Sequence, residues 1–155
     1  MRTAKDWKEF EVIDTSDGEK LERWGDVVLV RPDPQVIWNT PKGESWRKAN
    51  AHYLRSSSGG GRWEIRSMSR EQWTIGYKQL RFKISPTGLF PEQAVNWDFM
   101  ADKIQNAGRP VSVLNLFAYT GGATLACAQA GAKVCHVDAS KGMVSWAREN
   151  AQLSG

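Results

Sequence analysis

The stretch from Val111 to Asp138 limits what this chain can fold into more than any other part of it. Val111-Ser112-Val113-Leu114-Asn115-Leu116-Phe117 is a near-continuous apolar run, the pattern expected of a parallel strand buried on both faces. Gly121-Gly122 makes a turn. The small residues from Ala123 to Ala130 then predict a helix closed by Gly131 at its C′ position, where a left-handed backbone is easiest for glycine. Lys133 to Asp138 reads as a second strand, and Lys141 to about Leu153 as a second helix. Strand, glycine turn, helix, strand, acid, helix is the opening βαβα of a doubly wound, Rossmann-like α/β domain. A further amphipathic helix precedes it, with Trp97, Met100, Ala101 and Ile104 on one face, ending near Gly108 before Arg109-Pro110.

The first 85 residues follow a different pattern. Val27 to Val30 is a short β-branched run stopped by Arg31-Pro32-Asp33-Pro34. Ser56 to Gly61 is a flexible loop, and Trp63 to Arg66 a short strand after it. Trp73, Ile75 and Tyr77 share a face; the apolar phase slips by one at Lys78-Gln79 and continues through Leu80, Phe82 and Ile84, which requires a hairpin turn or a bulge. The expected organisation is a β-rich module over residues 1–87 and a partial α/β domain over 88–155.

Charge follows the same division. The stretch from Trp38 to Ser85 holds ten basic and three acidic residues, while residues 86–155 hold five of each. Interleaved with those cations are Trp46, Tyr53, Trp63, Trp73 and Tyr77. Cations can track phosphates while aromatic faces stack on unpaired bases, so RNA is an expected partner of residues 38–85. The alternative is that the aromatics are the core of the β module and the cations its solvated face. No apolar run approaches the roughly 18 residues of a membrane span, and the amino terminus, from Met1 to Trp7, has no apolar leader. A cytoplasmic location and no membrane partner are expected. Cys127 and Cys135 lie in apolar stretches without CxxC partners and read as two buried thiols rather than a disulfide or metal site. His52 and His136 have no metal-ligand or nucleophile partner at useful spacing and read as structural.

Chemistry concentrates in Asn115-Leu116-Phe117-Ala118-Tyr119-Thr120-Gly121-Gly122-Ala123-Thr124, followed by Asp138. Glycines at the end of a first strand let a nucleotide-containing cofactor approach the backbone, and an acid ending the second strand can accept both ribose hydroxyls. Asp138 could instead cap the following helix, the glycines could be a tight turn only, and Asn115 could merely pin the loop. A dinucleotide site wants GxGxxG facing a pyrophosphate. That spacing is missing, which suits a cofactor without phosphate, such as S-adenosyl-L-methionine (SAM).

The segments Gly88-Leu89-Phe90-Pro91-Glu92-Gln93, Asn96-Trp97-Asp98-Phe99, Leu116 to Gly122 and Val137-Asp138-Ala139-Ser140-Lys141 resemble the class I SAM-dependent methyltransferases related to the large-subunit ribosomal RNA cytosine methyltransferases. The resemblance runs from about Trp24 to Gly155 and is strongest after Gly88. It implies a SAM-dependent methyltransferase of RNA, with SAM held by Asn115, Phe117, Tyr119, Thr120, Gly121 and Gly122 at the methionine end and Asp138 at the ribose. Phe90, Gln93 and Ser140 would close over it. It also implies that the adenine-binding acid and the catalytic motif lie beyond Gly155, since neither cysteine is placed to attack a base. Catalytic residues are thus unassigned, and the chain is expected to be truncated and inactive alone, needing a missing C-terminal half or a partner chain. Methylation of a protein or small molecule, or a non-catalytic RNA-binding or interaction module, are the alternative readings.

Overall fold

The computed structural model describes residues 3–155; Met1 and Arg2, on which part of the expectation about the amino terminus falls, lie outside the described residues. The chain divides into two compact units, Lys8–Ile75 and Gly76–Gly155, the second joined by residues 3–7.

The first unit is a five-stranded sheet in the order β1-β2-β3-β4-β5, made of β1 (Phe10–Ser16), β2 (Glu19–Trp24), β3 (Val27–Pro32), β4 (Ala51–Arg55) and β5 (Gly61–Ile65). β3 and β4 pair in parallel; the other neighbours are antiparallel. A one-turn helix, α1 (Glu44–Arg47), brings Trp46 and Ala49 into a buried cluster with Leu21 and Val30. The turn between β1 and β2 is Asp17-Gly18, both in the left-handed region at φ 52° and 71°. Such an Asp-Gly pair matches the twist of a two-residue hairpin. Inside β2, Glu22 is fully buried, and its carboxylate accepts from Arg31 Nε at 2.6 Å and Trp24 Nε1 at 3.2 Å. A charge is tolerated there because it is paired and hydrogen-bonded.

β6 (Trp73–Tyr77) and β7 (Leu80–Ile84) form a two-stranded sheet, with Lys78 of the intervening pair at φ 53°. The phase slip is therefore a hairpin. In the second unit a 3-10 turn over Pro91–Gln93 leads into α2 (Ala94–Gln105). β8 (Ser112–Leu116), α3 (Gly122–Gln129), β9 (Lys133–Val137) and α4 (Lys141–Ser154) follow in the order expected of a βαβα unit. β8 and β9 pair in parallel, Asn115 opposite His136.

α4 also closes the outer edge of β7. Trp146 Nε1 donates to the Lys83 carbonyl, Asn150 Oδ1 accepts from the Lys83 amide, and the Ser154 hydroxyl meets both the amide and carbonyl of Arg81. Residues 146, 150 and 154 are spaced by four and lie on one helix face, so one stripe of side chains serves the strand's backbone groups.

Two expectations require correction. β8 is not buried on both faces: Leu114 is 63% exposed and Leu116 54%, alternating with better-covered Val113 and Asn115. α3 covers one face only, and β9 repeats the alternation, with Val137 43% exposed. Cys127 is buried, and burial pushes its thiol pKa up, but Cys135 lies on the uncovered face and is exposed.

Candidate functional site

A cleft of about 510 Å³ opens at the carboxyl end of β8, between the loop from Leu116 to Thr120 and the Leu89–Gln93 turn with the start of α2. The volume falls in the range of small-molecule sites. Of the residues read from sequence, Phe90, Gln93, Asn115, Phe117, Tyr119, Thr120 and Gly122 line it. Trp97 and Met100, assigned to the apolar face of a helix, line it as well. Glu92 is the one carboxylate in the lining among the described residues, and no Lys or Arg is present. A pyrophosphate would have no cationic partner there.

The loop is held in an uncommon backbone. Phe117 and Tyr119 have φ of 53° and 50°, in the left-handed region that side chains with a Cβ enter rarely. Asp138 holds Tyr119 in place: its Oδ2 accepts from the Tyr119 amide at 2.9 Å and its Oδ1 from the Ser140 amide at 2.9 Å. These two N–H groups, Ser140's foremost, keep the Asp138 carboxyl below its ordinary pKa. A lowered value means that the brace is fully formed above the usual carboxylate range and is lost only as pH falls through the lowered value. Each oxygen retains acceptor capacity beyond its one backbone bond. Helix α4 is capped by Ser140, whose Oγ accepts from the Met143 amide at 3.3 Å, rather than by Asp138.

Asp138, Ser140 and Gly121 are not in the cleft lining. The glycine requirement at 121 and 122 comes from packing. Gly121 sits at φ 93°, and a Cβ there would stand 2.9 Å from Leu125 Cδ1 and 3.1 Å from Ala147 Cβ. A Cβ on Gly122 would stand 2.5 Å from Trp97 Cζ2. The two glycines seat α3 against α2 and α4.

Other lining groups are positioned by neighbours. The rings of Phe90 and Tyr119 lie 5.3 Å apart, and Gln93 Oε1 accepts from Asn96 Nδ2. Thr120 is 4% exposed; its carbonyl accepts from Asn150 Nδ2, while its buried Oγ1 has no partner among the described residues. Asn115 Nδ2 lies 2.9 Å from Thr124 Oγ1, which lies 2.9 Å from His136 Nδ1. Thr124 and His136 were not singled out as site residues; nothing in their spacing signals that three elements bring them together.

No family model matches the chain. Among curated proteins, 70 residues (44% of this chain, 9% of the relative) are 43% identical to the ribosomal RNA large subunit methyltransferase K/L of Shewanella frigidimarina. Among solved structures, the SAM-dependent methyltransferase from Agrobacterium tumefaciens superposes with a TM-score of 0.87 at 39% identity, over 96% of this chain and 49% of that one. The Pyrococcus abyssi tRNA (uracil-54, C5)-methyltransferase, solved with S-adenosyl-L-homocysteine, shares the fold at a TM-score of 0.50 and 19% identity, over 89% and 37%. This chain thus spans about half of the solved neighbour and under a tenth of the curated relative. The relative's name specifies the RNA and not the base. Over the portion it spans, the chain resembles the class I SAM-dependent methyltransferases, and among them an enzyme of large-subunit ribosomal RNA.

Proposed function

We propose that this chain is the cofactor-binding front of a SAM-dependent methyltransferase acting on RNA, with residues 88–155 carrying the cofactor half-site and residues 1–87 a module that presents the nucleic acid. The observation that carries the reading is the cleft itself. It has the size of a nucleoside-cofactor site and a wall free of cations. Beside it runs a left-handed loop braced by a carboxylate with acceptor capacity to spare. SAM fits this set: it has no phosphate, it brings a sulfonium whose methyl is the group transferred, and its ribose diol can use the remaining Asp138 lone pairs. Asn115, Phe117, Tyr119, Thr120 and Gly122 would lie along the methionine end, with Phe90 and Gln93 opposite. Gly121 and Ser140 would act through the backbone that they shape. The residues that activate the substrate would follow Gly155 in the longer protein or come from a partner chain.

The test is calorimetric titration of the 155-residue chain with SAM and with NAD. Saturable binding of SAM and none of NAD is the expected result; preference for NAD, or no heat with either from a folded chain, sinks the assignment.

RNA as substrate class is supported by the name of the curated relative and by the surface of the first unit. Much of the basic stretch is already engaged. Lys42, Lys48, Arg66, Arg70, Lys78 and Lys83 have carboxylate partners, and Arg81 donates to the carbonyls of Lys78 and Leu80. Trp46, Trp73 and Tyr77 are buried. Arg47, Arg55 and Arg62 are exposed and carry no ion pair among the described residues. Arg55 shares a β4–β5 face with Tyr53 and Trp63, whose half-buried rings lie 5.2 Å apart. Three free cations predict shallow salt dependence. The log–log slope for single-stranded RNA should be about −2 rather than the roughly −7 that phosphate contacts from every cation of the stretch would give. Filter binding across a salt series reads it, and a slope near zero removes RNA from the proposal.

A further inference from the structure

Residues 3–7 belong to the second unit, although the whole of Lys8–Ile75 separates them from it in sequence. Two side chains fasten them there. Asp6 Oδ2 lies 3.2 Å from Lys78 Nζ, and the Trp7 ring lies 4.7 Å from that of Tyr77. Both members of the ion pair are exposed, and a pair of that kind contributes little. The rings weigh more, since Trp7 is half-buried and has Trp97 as a second aromatic neighbour at 6.2 Å.

The one polar group of that indole reaches the wall of the cleft. Trp7 Nε1 donates to the Pro91 carbonyl at 3.0 Å, across 84 positions of sequence. Pro91 opens the 3-10 turn, and its neighbours Phe90, Glu92 and Gln93 line the cleft. The same carbonyl accepts from the Ala94 amide, which joins the turn to α2; its two lone pairs serve the two donors. A single 3-10 turn holds itself poorly, because its i→i+3 bonds have inferior geometry. Within it the Gln93 amide donates to the Phe90 carbonyl at 3.0 Å, and Gln93 Oε1 is engaged by Asn96. A restraint from outside the segment therefore bears on how firmly Phe90 and Gln93 are held.

We propose that residues 3–7 are a strap that sets the Phe90–Gln93 wall of the cleft, with Trp7 a positioning residue acting through the Pro91 carbonyl. The ring fastens the strap, and the N–H holds the turn. The ligand role of the strap rests on the reading of the cleft as a SAM site, and the test separates the two. Trp7→Phe keeps an aromatic ring and removes only the donor. Hydrogen exchange reads the turn without ligand. In the variant the Gln93 and Ala94 amides should exchange about tenfold faster, the scale of one hydrogen bond, while the amides of α4 keep their wild-type rates. Unchanged rates in the turn, or acceleration of the turn and α4 alike, would each overturn the strap. For binding the probe is SAM. Trp7→Phe should weaken it about three- to tenfold, and should add no further loss once Phe90 and Gln93 are both alanine. No loss of SAM affinity, or a loss that multiplies with that of the wall substitutions, overturns the positioning role. A wild-type chain that does not bind SAM sinks the cofactor reading, and the exchange rates still decide the strap.

Discussion

Trp97→Ala is expected to cost the second unit about 3–5 kcal/mol, the range for removing a large aromatic from a packed core. The indole is 4% exposed and is surrounded by rings, with Trp7, Tyr77 and Phe82 at centroid distances of 6.2, 5.8 and 5.3 Å. It also fills the space that the missing Cβ of Gly122 leaves, and with the Met100–Cys127 sulfur contact at 3.8 Å it joins α2 to α3. The loss should shift the urea midpoint with little change in slope. Gly122→Ala attacks the same contact from the other side. At 2.5 Å from an aromatic carbon the new methyl cannot be accommodated by a flexible tip, and overpacking of this kind costs about 1–3 kcal/mol. Because the two changes share one contact, Trp97→Phe should offset part of the Gly122→Ala loss rather than add to it. Strict additivity would mean that the indole and Gly122 are not coupled as the geometry requires.

The second large effect falls on binding. If Asp138 holds the ribose as proposed, Asp138→Ala should weaken SAM by about a hundredfold or more, since two ribose hydrogen bonds to a charged acceptor are lost together. The same substitution frees the Tyr119 amide, so the left-handed loop loses its brace at the same time. Helix α4 keeps its own cap in Ser140, and the fold should survive, with a far-ultraviolet dichroism spectrum like that of the wild type. Asp138→Asn is the informative companion. Its oxygen can still serve one of the two backbone amides, but its NH2 must face the other, and affinity should fall between wild type and alanine. An alanine variant that binds SAM as the wild type does would reduce Asp138 to a loop brace.

How much of this was legible in the sequence depended on whether a pattern lives within one element or between several. The βαβα order was readable because each element carries its own period, and the glycine turn and Asp138 punctuate it. The β6–β7 hairpin was readable from a single phase slip. β1 and β2 were not, since Glu11, Asp14, Lys20 and Glu22 blur their alternation, and the burial of Glu22 depends on Arg31 from the neighbouring strand and Trp24 two residues along its own. One signal was there to be used: Asp17-Gly18 is a two-residue hairpin pair. The basic stretch misled in the other direction. Its charge is counted along the chain, but Lys42, Arg70, Lys78 and Lys83 find their carboxylates at Glu19, Asp26, Asp98 and Glu149, outside the stretch. Linear charge excess is not surface charge excess. His136 and Thr124 were passed over for the same reason: their meaning is a distance between elements.

The stripe of Trp146, Asn150 and Ser154 along α4 has a consequence for how the second unit opens. A strand edge is ordinarily closed by another strand, whose pairing persists while any helix nearby frays. Here the Arg81 and Lys83 amides are closed by side chains of the last helix, so their protection is borrowed from it. The helix and the strand edge are therefore one cooperative opening unit. Asn150 extends that unit to the cleft, because the same amide that accepts from Lys83 donates to the carbonyl of Thr120. A ligand that orders the Thr120 loop would, through this single side chain, also slow the release of an edge in a different sheet.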